Sequence, residues 1–311
     1  MTLTELRYIV TVAREQHFGR AAKACFVSQP TLSIAIKKLE TELGVAIFER
    51  GSNEITVSPI GERIVQQAQL TLEAADNIKQ LALHGKNQLS GPLRIGAIHT
   101  IGPYLYPELI PILSKAAPDM PLVVEENYTA VLTEKLKRGE LDVIIIALPY
   151  EERGIVSQAL YEEPFVALLP ASHPLTSRKT INSKLLETEN VLLLGQGHCF
   201  RDQVLEACPA CIPKPGLEGD LAHTVEGSSL ETIRHMVVSG LGLTVLPCTA
   251  AGAHTYSRRL LAIRRFSSPI PTRTVALAWR LSFPRPKAID VISKAISECN
   301  LSCVKKIKSR R

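Results

Sequence analysis

The chain has no early stretch apolar enough to be a secretory signal or a membrane span, because Glu5, Arg7 and Arg14 interrupt the N-terminal segment. The expectation is a protein that stays in the cytoplasm and has no membrane partner. A broad basic excess is missing too. The net charge is +6, but Lys305, Lys306, Lys308, Arg310 and Arg311 supply five of those charges, and such a tail is ordinarily a solvated terminus. Nucleic-acid binding must therefore be argued from local pattern. A disulfide framework is also lacking: the chain has 7 cysteines, and without a secretory signal reducing compartments keep thiols free. Any disulfide is expected to be a regulated one, and Cys25, Cys248, Cys299 and Cys303 are expected to be small buried hydrophobes. The Cys-x-x-Cys run Cys208-Pro209-Ala210-Cys211 has no second pair to complete a zinc site, so neither metal nor cofactor is expected.

What is present is a core-forming chain, 45% apolar over 311 residues, roughly two domains by length. Leu3, Leu6, Ile9, Val10 and Ala13 fall at helical spacing, and Ala21, Ala22 and Ala24 begin a second short helix. Ser28 is placed to cap a third, with Pro30 tolerated in its first turn. That helix carries Leu32, Ile36, Leu39 and Leu43 on one face and Ser33 and Lys37 on another. Two helices around a tight turn, the second opening with small polar residues, suit a recognition helix entering the major groove. Gln29, Thr31, Ser33 and Lys37 are the candidates for base and phosphate contact. Two short strands around Gly51-Ser52-Asn53 read as a wing from which Arg50 reaches a phosphate. The plain structural alternative is a three-helix packing module.

Ser58-Pro59 starts another helix, and no proline follows until Pro92. A helix from Pro59 to about Leu83 extends roughly 38 Å. Its thin stripe, Ile64, Ala68, Leu72, Ala75, Ile78 and Ala82, suits a partner helix at close approach, with a hinge at residues 84–88. From Leu93 onward, β-rich runs alternate with helical ones, the pattern of a parallel sheet with crossover helices in two α/β lobes. A cleft between such lobes is where a ligand binds.

The run FGRAAKACFVSQPTLSIAIKKLETELGVAIFER, continuing through TVSPIGERI, closely resembles the N-terminal domain of LysR-type transcriptional regulators. The resemblance implies that Gln29, Pro30, Thr31, Ser33 and Lys37 lie at the DNA surface, with Arg50 in the wing. It implies an α/β chain: a winged helix-turn-helix (1–58), a linker and dimerisation helix with its hinge (59–90), a periplasmic-binding-protein-like regulatory domain of two subdomains (91–300), and a basic tail (301–311). It also implies that the chain crosses between subdomains near Glu163 and Ser267.

The second lobe contains Gly195-Gln196-Gly197-His198-Cys199-Phe200-Arg201-Asp202-Gln203, followed by Cys208. A thiol at a glycine-rich loop opening a helix sees the helix N-terminus, and His198 and Arg201 stand nearby; each is expected to favour the thiolate. The thiolate attacks peroxide to give a sulfenic acid, which a second cysteine, Cys208 being the obvious one, captures as a disulfide. Continuous helix would hold the two Cα atoms roughly 13 Å apart, whereas a disulfide needs about 7 Å or less, so bonding must remodel the segment. Together with SGPLRIG, IGPYLYPELIP and SLETIRHMVVSGLGLTVLP, GHCFRDQ resembles the peroxide-sensing members of the LysR-type family. The resemblance makes Cys199 peroxidatic and Cys208 resolving. Thr100, Thr129 and His198 would hold peroxide, with Arg201 and Asp202 in the polar surround. Helix caps for the two threonines and surface salt bridges for Arg201 and Asp202 are the ordinary alternatives. Cys211 competes with Cys208 as resolving residue.

The leading expectation is thus a peroxide-responsive activator, a homodimer or homotetramer on double-stranded promoter DNA that engages RNA polymerase. The alternatives are a LysR-type regulator whose cleft takes a small organic co-inducer, and a thiol peroxidase or disulfide oxidoreductase. An enzyme would have no use for the DNA-reading segment.

Overall fold

The computed structural model describes residues 1–50, 55–84, 87–209, 227–251 and 260–307, without the side chains of residues 50, 77 and 79–84. The chain divides into two compact units, Met1–Lys86 and Asn87–Arg311.

In the first unit, α1 (Leu3–Glu15) starts where Thr2 and Glu5 form a reciprocal capping box. His17 caps α2 (Phe18–Ala24) by accepting the Gly19 and Arg20 N–H groups, so this helix begins at Phe18, ahead of the alanine run that announced it. Ser28 caps α3 (Gln29–Leu43) by accepting the Thr31 N–H at 3.3 Å, and α3 stops at Gly44, whose φ of 72° is left-handed. Leu32, Ile36 and Leu39 are buried against Leu6, Ile9, Val12, Ala21 and Ala22. Strands β1 (Phe48–Arg50) and β2 (Ile55–Val57) pair antiparallel, Phe48 opposite Val57. Residues 51–54, the expected wing turn, lie outside the described residues.

Helix α4 (Pro59–His84) begins at Ser58, whose Oγ accepts the Gly61 N–H at 3.0 Å. A Cβ on Gly61 would stand 2.1 Å from the Ile47 carbonyl oxygen, so this close approach requires glycine. Ile64, Val65, Ala68 and Leu72 pack on the unit's own core, whereas Ile78 is 68% exposed. The stripe expected to be a partner seam is therefore covered by its own domain over its first half.

The second unit has two lobes. In the first, β3 (Leu93–Ile98), β4 (Leu122–Asn127) and β5 (Val143–Leu148) run parallel in the order β4-β3-β5, joined through α5 (Gly102–Ala116) and α6 (Thr129–Lys137). The sheet is mixed, not purely parallel. The long β6 (Ile155–Pro170) pairs antiparallel through Pro164 with β11 (Thr272–Arg280), which itself pairs antiparallel with β5.

From Phe165 onward the same β6 enters the second lobe, pairing with β9 (Leu243–Pro247) and β10 (Leu261–Phe266). That lobe also holds β7 (Thr180–Ile181), β8 (Val191–Leu192), α7 (Cys199–Ala207), α8 (Leu230–Val238) and α9 (Cys248–Ala251). The chain returns between β10 and β11, and α10 (Pro286–Glu298) packs on α5 of the first lobe. Then β12 (Lys305–Lys306) pairs with β6 at Glu162 and Tyr161. Each lobe has its own apolar core.

The reading of Cys248 and Cys303 as plain buried hydrophobes needs correction. Cys248 and Cys303 form a disulfide with Cα atoms 6.1 Å apart. The C-terminal segment returns against α9 and so brings together two residues 55 apart in sequence. Cys299 does keep the expected role, fully buried with its thiol donating to the Ala295 carbonyl. Burial holds that thiol protonated, its pKa pushed up to about 11.

Candidate functional site

The carboxyl ends of β3 and β4 and the start of α7 face one another across the two lobes. They enclose a cleft lined by Ile98, His99, Thr100, Asn127, Tyr128, Thr129, Gly197, His198, Cys199 and Phe200. Ligand sites in α/β folds form at such strand ends. Cys199 is the first residue of α7, where backbone N–H groups lack helical partners and the helix dipole favours negative charge. Gly197 turns the chain into this helix with φ of 91°, a left-handed value that suits glycine.

His198 precedes α7 and is 5% exposed. Its Nε2 lies 3.1 Å from the Ser228 carbonyl oxygen, which can only accept, so Nε2 carries the hydrogen. Burial first, and His99 beside it second, push its pKa down, against the opposing hydrogen bond to Ser228. The ring is therefore neutral at physiological pH, with Nδ1 an acceptor. The neutral ring and Cys199 both line the cleft. Its face meets Tyr128 at 4.7 Å and His99 at 5.8 Å between centroids, so three rings from both lobes form one wall.

Thr129 opens α6, yet α6 has no side-chain cap bond, so the capping alternative does not apply. Its Oγ1 is buried without a hydrogen-bond partner. A buried hydroxyl of this kind calls for a polar guest. Thr100 is held differently: Arg273 donates Nη1 to its Oγ1 at 2.8 Å and Nη2 to its carbonyl at 2.9 Å. With its oxygen accepting from Arg273, the Thr100 hydroxyl keeps its own hydrogen to donate.

Arg273 is 3% exposed and donates Nε to Glu163 Oε2 at 2.8 Å. Glu163 lies in β6 where the chain passes between lobes, and its Oε1 accepts the Thr249 N–H of α9 at 3.1 Å and the Thr249 hydroxyl. The guanidinium also lies 5.2 Å from the Phe200 ring centroid, next to Cys199. A buried ion pair at the crossing thus fixes one wall of the cleft, and neither member was among the sequence candidates.

The two candidate switch cysteines lie at opposite ends of α7. Cys199, half-buried, packs against the first lobe's core, while Cys208 is fully buried in the second lobe's core. Both are thiols, not disulfide-bonded. Gln203, between them, donates to the Leu148 carbonyl of the first lobe at 3.2 Å. Arg201 donates to the Leu194 carbonyl at 2.7 Å and Asp202 is exposed; neither lines the cleft. Cys211 lies outside the described residues. Among the described residues, no group of three His, Cys, Asp or Glu side chains could hold a metal, and no helix is long and apolar enough to cross a membrane.

On the first unit, Gln29, Pro30, Thr31 and Lys37 are exposed on α3, and Ser33 is half-buried. Arg50 ends β1, with its side chain outside the described residues. Phe26, 95% exposed at φ 57° in the turn before α3, and Ile34, 69% exposed, share this surface and were not foreseen.

Comparison with known proteins agrees with this architecture. Residues 3–62 match the bacterial regulatory helix-turn-helix proteins of the lysR family, and residues 86–298 the LysR substrate binding domain. The chain is 36% identical over 296 residues to the DNA-binding transcriptional dual regulator OxyR of Escherichia coli K12, covering 95% of each chain. It is 35% identical over 298 residues to a hydrogen peroxide-inducible genes activator of Dickeya chrysanthemi, covering 96% of this chain and 95% of that one. A full-length OxyR variant from Pseudomonas aeruginosa superposes with a TM-score of 0.78 at 55% identity, over 100% of this chain and 99% of that one. An H2O2-bound OxyR variant from Corynebacterium glutamicum gives 0.63 at 34% identity, over 96% and 92%. With a winged helix-turn-helix, a long helix and a two-lobed domain of the periplasmic-binding-protein type, this chain belongs to the LysR family of transcriptional regulators.

Proposed function

We propose that this protein is a hydrogen-peroxide-responsive, DNA-binding transcriptional activator switched by a reversible Cys199–Cys208 disulfide. The observation that carries the reading is the seating of the two thiols in the cores of different lobes, at the two ends of α7. Peroxide enters the cleft, where the unpartnered Thr129 Oγ1, the Thr100 hydroxyl and His198 Nδ1 offer hydrogen bonds. The Cys199 thiolate attacks one peroxide oxygen; an S–O bond forms, the O–O bond breaks, and the departing hydroxide takes a proton to leave as water. Cys208 then displaces the sulfenic oxygen as a second water, so two thiols and one peroxide give one disulfide and two waters. Arg201 supports the first turn of α7 through Leu194, and Asp202 sits in the surround.

Because α7 holds the two Cα atoms roughly 13 Å apart, bonding them unwinds the helix and withdraws Cys199 from the first lobe. The two-lobed domain changes shape, and in a homodimer or homotetramer this alters the spacing of the helix-turn-helix heads. Gln29, Pro30, Thr31, Ser33, Lys37 and Arg50 meet double-stranded promoter DNA, and the repositioned heads engage RNA polymerase in the cytoplasm. Peptide mapping before and after micromolar peroxide, with a footprint on one promoter, tests this. The expected result is loss of two hydrogens at the Cys199/Cys208 peptides and a shifted footprint, both abolished by Cys199→Ser. A wild-type chain that forms no such disulfide, or keeps one footprint, overturns the reading.

A further inference from the structure

The Cys248–Cys303 disulfide lies where the two lobes meet, on a path leading to the cleft. Cys248 is the first residue of α9 and belongs to the second lobe's core. Cys303 follows α10, whose Ile292, Ala295, Ile296 and Cys299 belong to the first lobe's core, as does Leu301. Val304, the next residue, packs against both cores. The bond therefore staples the first lobe's C-terminal extension to the second lobe. Thr249, adjacent to Cys248, gives both its N–H and its hydroxyl to Glu163; Glu163 pairs with Arg273; and Arg273 holds Thr100 in the cleft beside Cys199. The path from staple to cleft consists of one peptide bond and three hydrogen-bonded contacts.

We propose that Cys248 and Cys303 are a second, exchangeable redox pair that reads a glutathione-class disulfide, not peroxide, and conditions the Cys199 cleft through the Glu163–Arg273 pair. The described cleft is lined by neither cysteine, which argues against direct peroxide chemistry there. Cys303 is half-buried and Cys248 8% exposed, so Cys303 is the point of entry. Its thiolate attacks one sulfur of the small disulfide, whose S–S bond breaks to release one small thiol. Cys248 then attacks the Cys303 sulfur of the mixed disulfide and releases the second. The two protein thiols are oxidised, the small disulfide is reduced to two thiols, and the two protein protons end on them. Cys299 is four residues from Cys303 and kept protonated by burial, so it stays out of the exchange.

The pairing chemistry is independent of the peroxide reading, whereas the conditioning of Cys199 rests on it. The full chain carrying Cys199→Ser is equilibrated with glutathione mixtures from fully reduced to fully oxidised, acid-quenched, alkylated and mapped. Cys248 and Cys303 are expected to pass together between dialkylated and disulfide forms within that range, with Cys299 alkylated throughout once the chain is unfolded. A pair that stays closed in fully reduced glutathione, or open in fully oxidised glutathione, overturns the exchange. In parallel, maleimide labelling of Cys199 in otherwise wild-type protein with the staple closed is compared with Cys303→Ala and with Cys248→Ala/Cys303→Ala. The labelling rate is expected to differ at least threefold, in the same direction for both variants. Equal rates overturn the coupling, and this readout needs no peroxide, so it does not fail merely because the Cys199–Cys208 switch does. Circular dichroism confirms that at least the single variant is folded.

Discussion

Arg273→Met removes one half of an ion pair whose side chains are 1% and 0% exposed, and leaves the Glu163 carboxylate buried with Thr249 as its remaining partner. Breaking such a pair from one side costs about 3–5 kcal/mol. For a unit of this size, where ~1 kcal/mol moves Tm by roughly 2–4 °C, a fall of about 10 °C is expected. Glu163→Gln/Arg273→Met removes both charges while keeping a side-chain oxygen for Thr249, and is expected to recover at least half of the loss. Urea unfolding of the single and double variants, with the slope m checked for constancy, closes the cycle. The two variants share a second deficit that stability does not explain, because both lose the two donors holding Thr100. Cys199 oxidation by peroxide is expected to slow in both, about tenfold if Thr100 steers the oxidant, since one hydrogen bond from a charged group is worth about 1.5–3 kcal/mol. An Arg273→Met loss below ~1 kcal/mol, or a double variant no more stable than the single, refutes the reading of this pair as a mutually compensated ion pair at the crossing between lobes. Full recovery of the oxidation rate in the double variant refutes the positioning role of Arg273.

His198 has a folded pKa below its unfolded one, so its contribution is intact above the unfolded value near 6.5 and is lost as pH falls through the folded one; wild-type stability should therefore drop more steeply below about pH 6.5 than that of His198→Gln, and parallel curves would contradict the buried neutral ring. The Cys248–Cys303 bond closes a loop of sequence separation 55, worth about 4 kcal/mol by chain entropy, so Cys248→Ala/Cys303→Ala should melt roughly 10 °C lower, with a scan showing less than a few degrees counting against it. Lys37→Ala should weaken operator and non-specific DNA alike and lower the slope of log K against log salt by about 0.9, whereas loss confined to the operator would move Lys37 from a phosphate to a base edge.

The parts legible in the sequence are those written locally. Ser28 and Pro30 announce α3, and the text around Cys199 marks the candidate thiol because cap position, glycine turn and cysteine are neighbours along the chain. His99 and Tyr128 escaped notice although both directly follow strands β3 and β4, where the strand-end rule for α/β folds would have found them. Glu163, Arg273 and the Cys248–Cys303 disulfide were not legible in this way. Arg273 meets Glu163 across 110 residues and Thr100 across 173, and no periodicity encodes such a meeting. The protonation state of His198 was not legible either, because burial and the Ser228 carbonyl set it and both are products of the fold.

The same distribution of contacts explains how a small oxidant can move a large domain. Were Cys199 and Cys208 in one core, a disulfide could form by rotamer changes, and the rest of the fold would not register it. Here α7 meets the first lobe through Cys199 and Gln203 and the second through Phe200, Val204 and Cys208, so that contacts with the two lobes alternate along the helix. The bond cannot form while both attachments persist, since intact helix keeps its ends roughly 13 Å apart. In the proposed switch, oxidation breaks at least one attachment, and that to the first lobe is the weaker, with a half-buried thiol and the Gln203 hydrogen bond against three fully buried side chains. Disulfide formation accordingly loosens the first lobe's grip on α7 while the Glu163–Arg273 pair and the Cys248–Cys303 staple still join the lobes at the crossing.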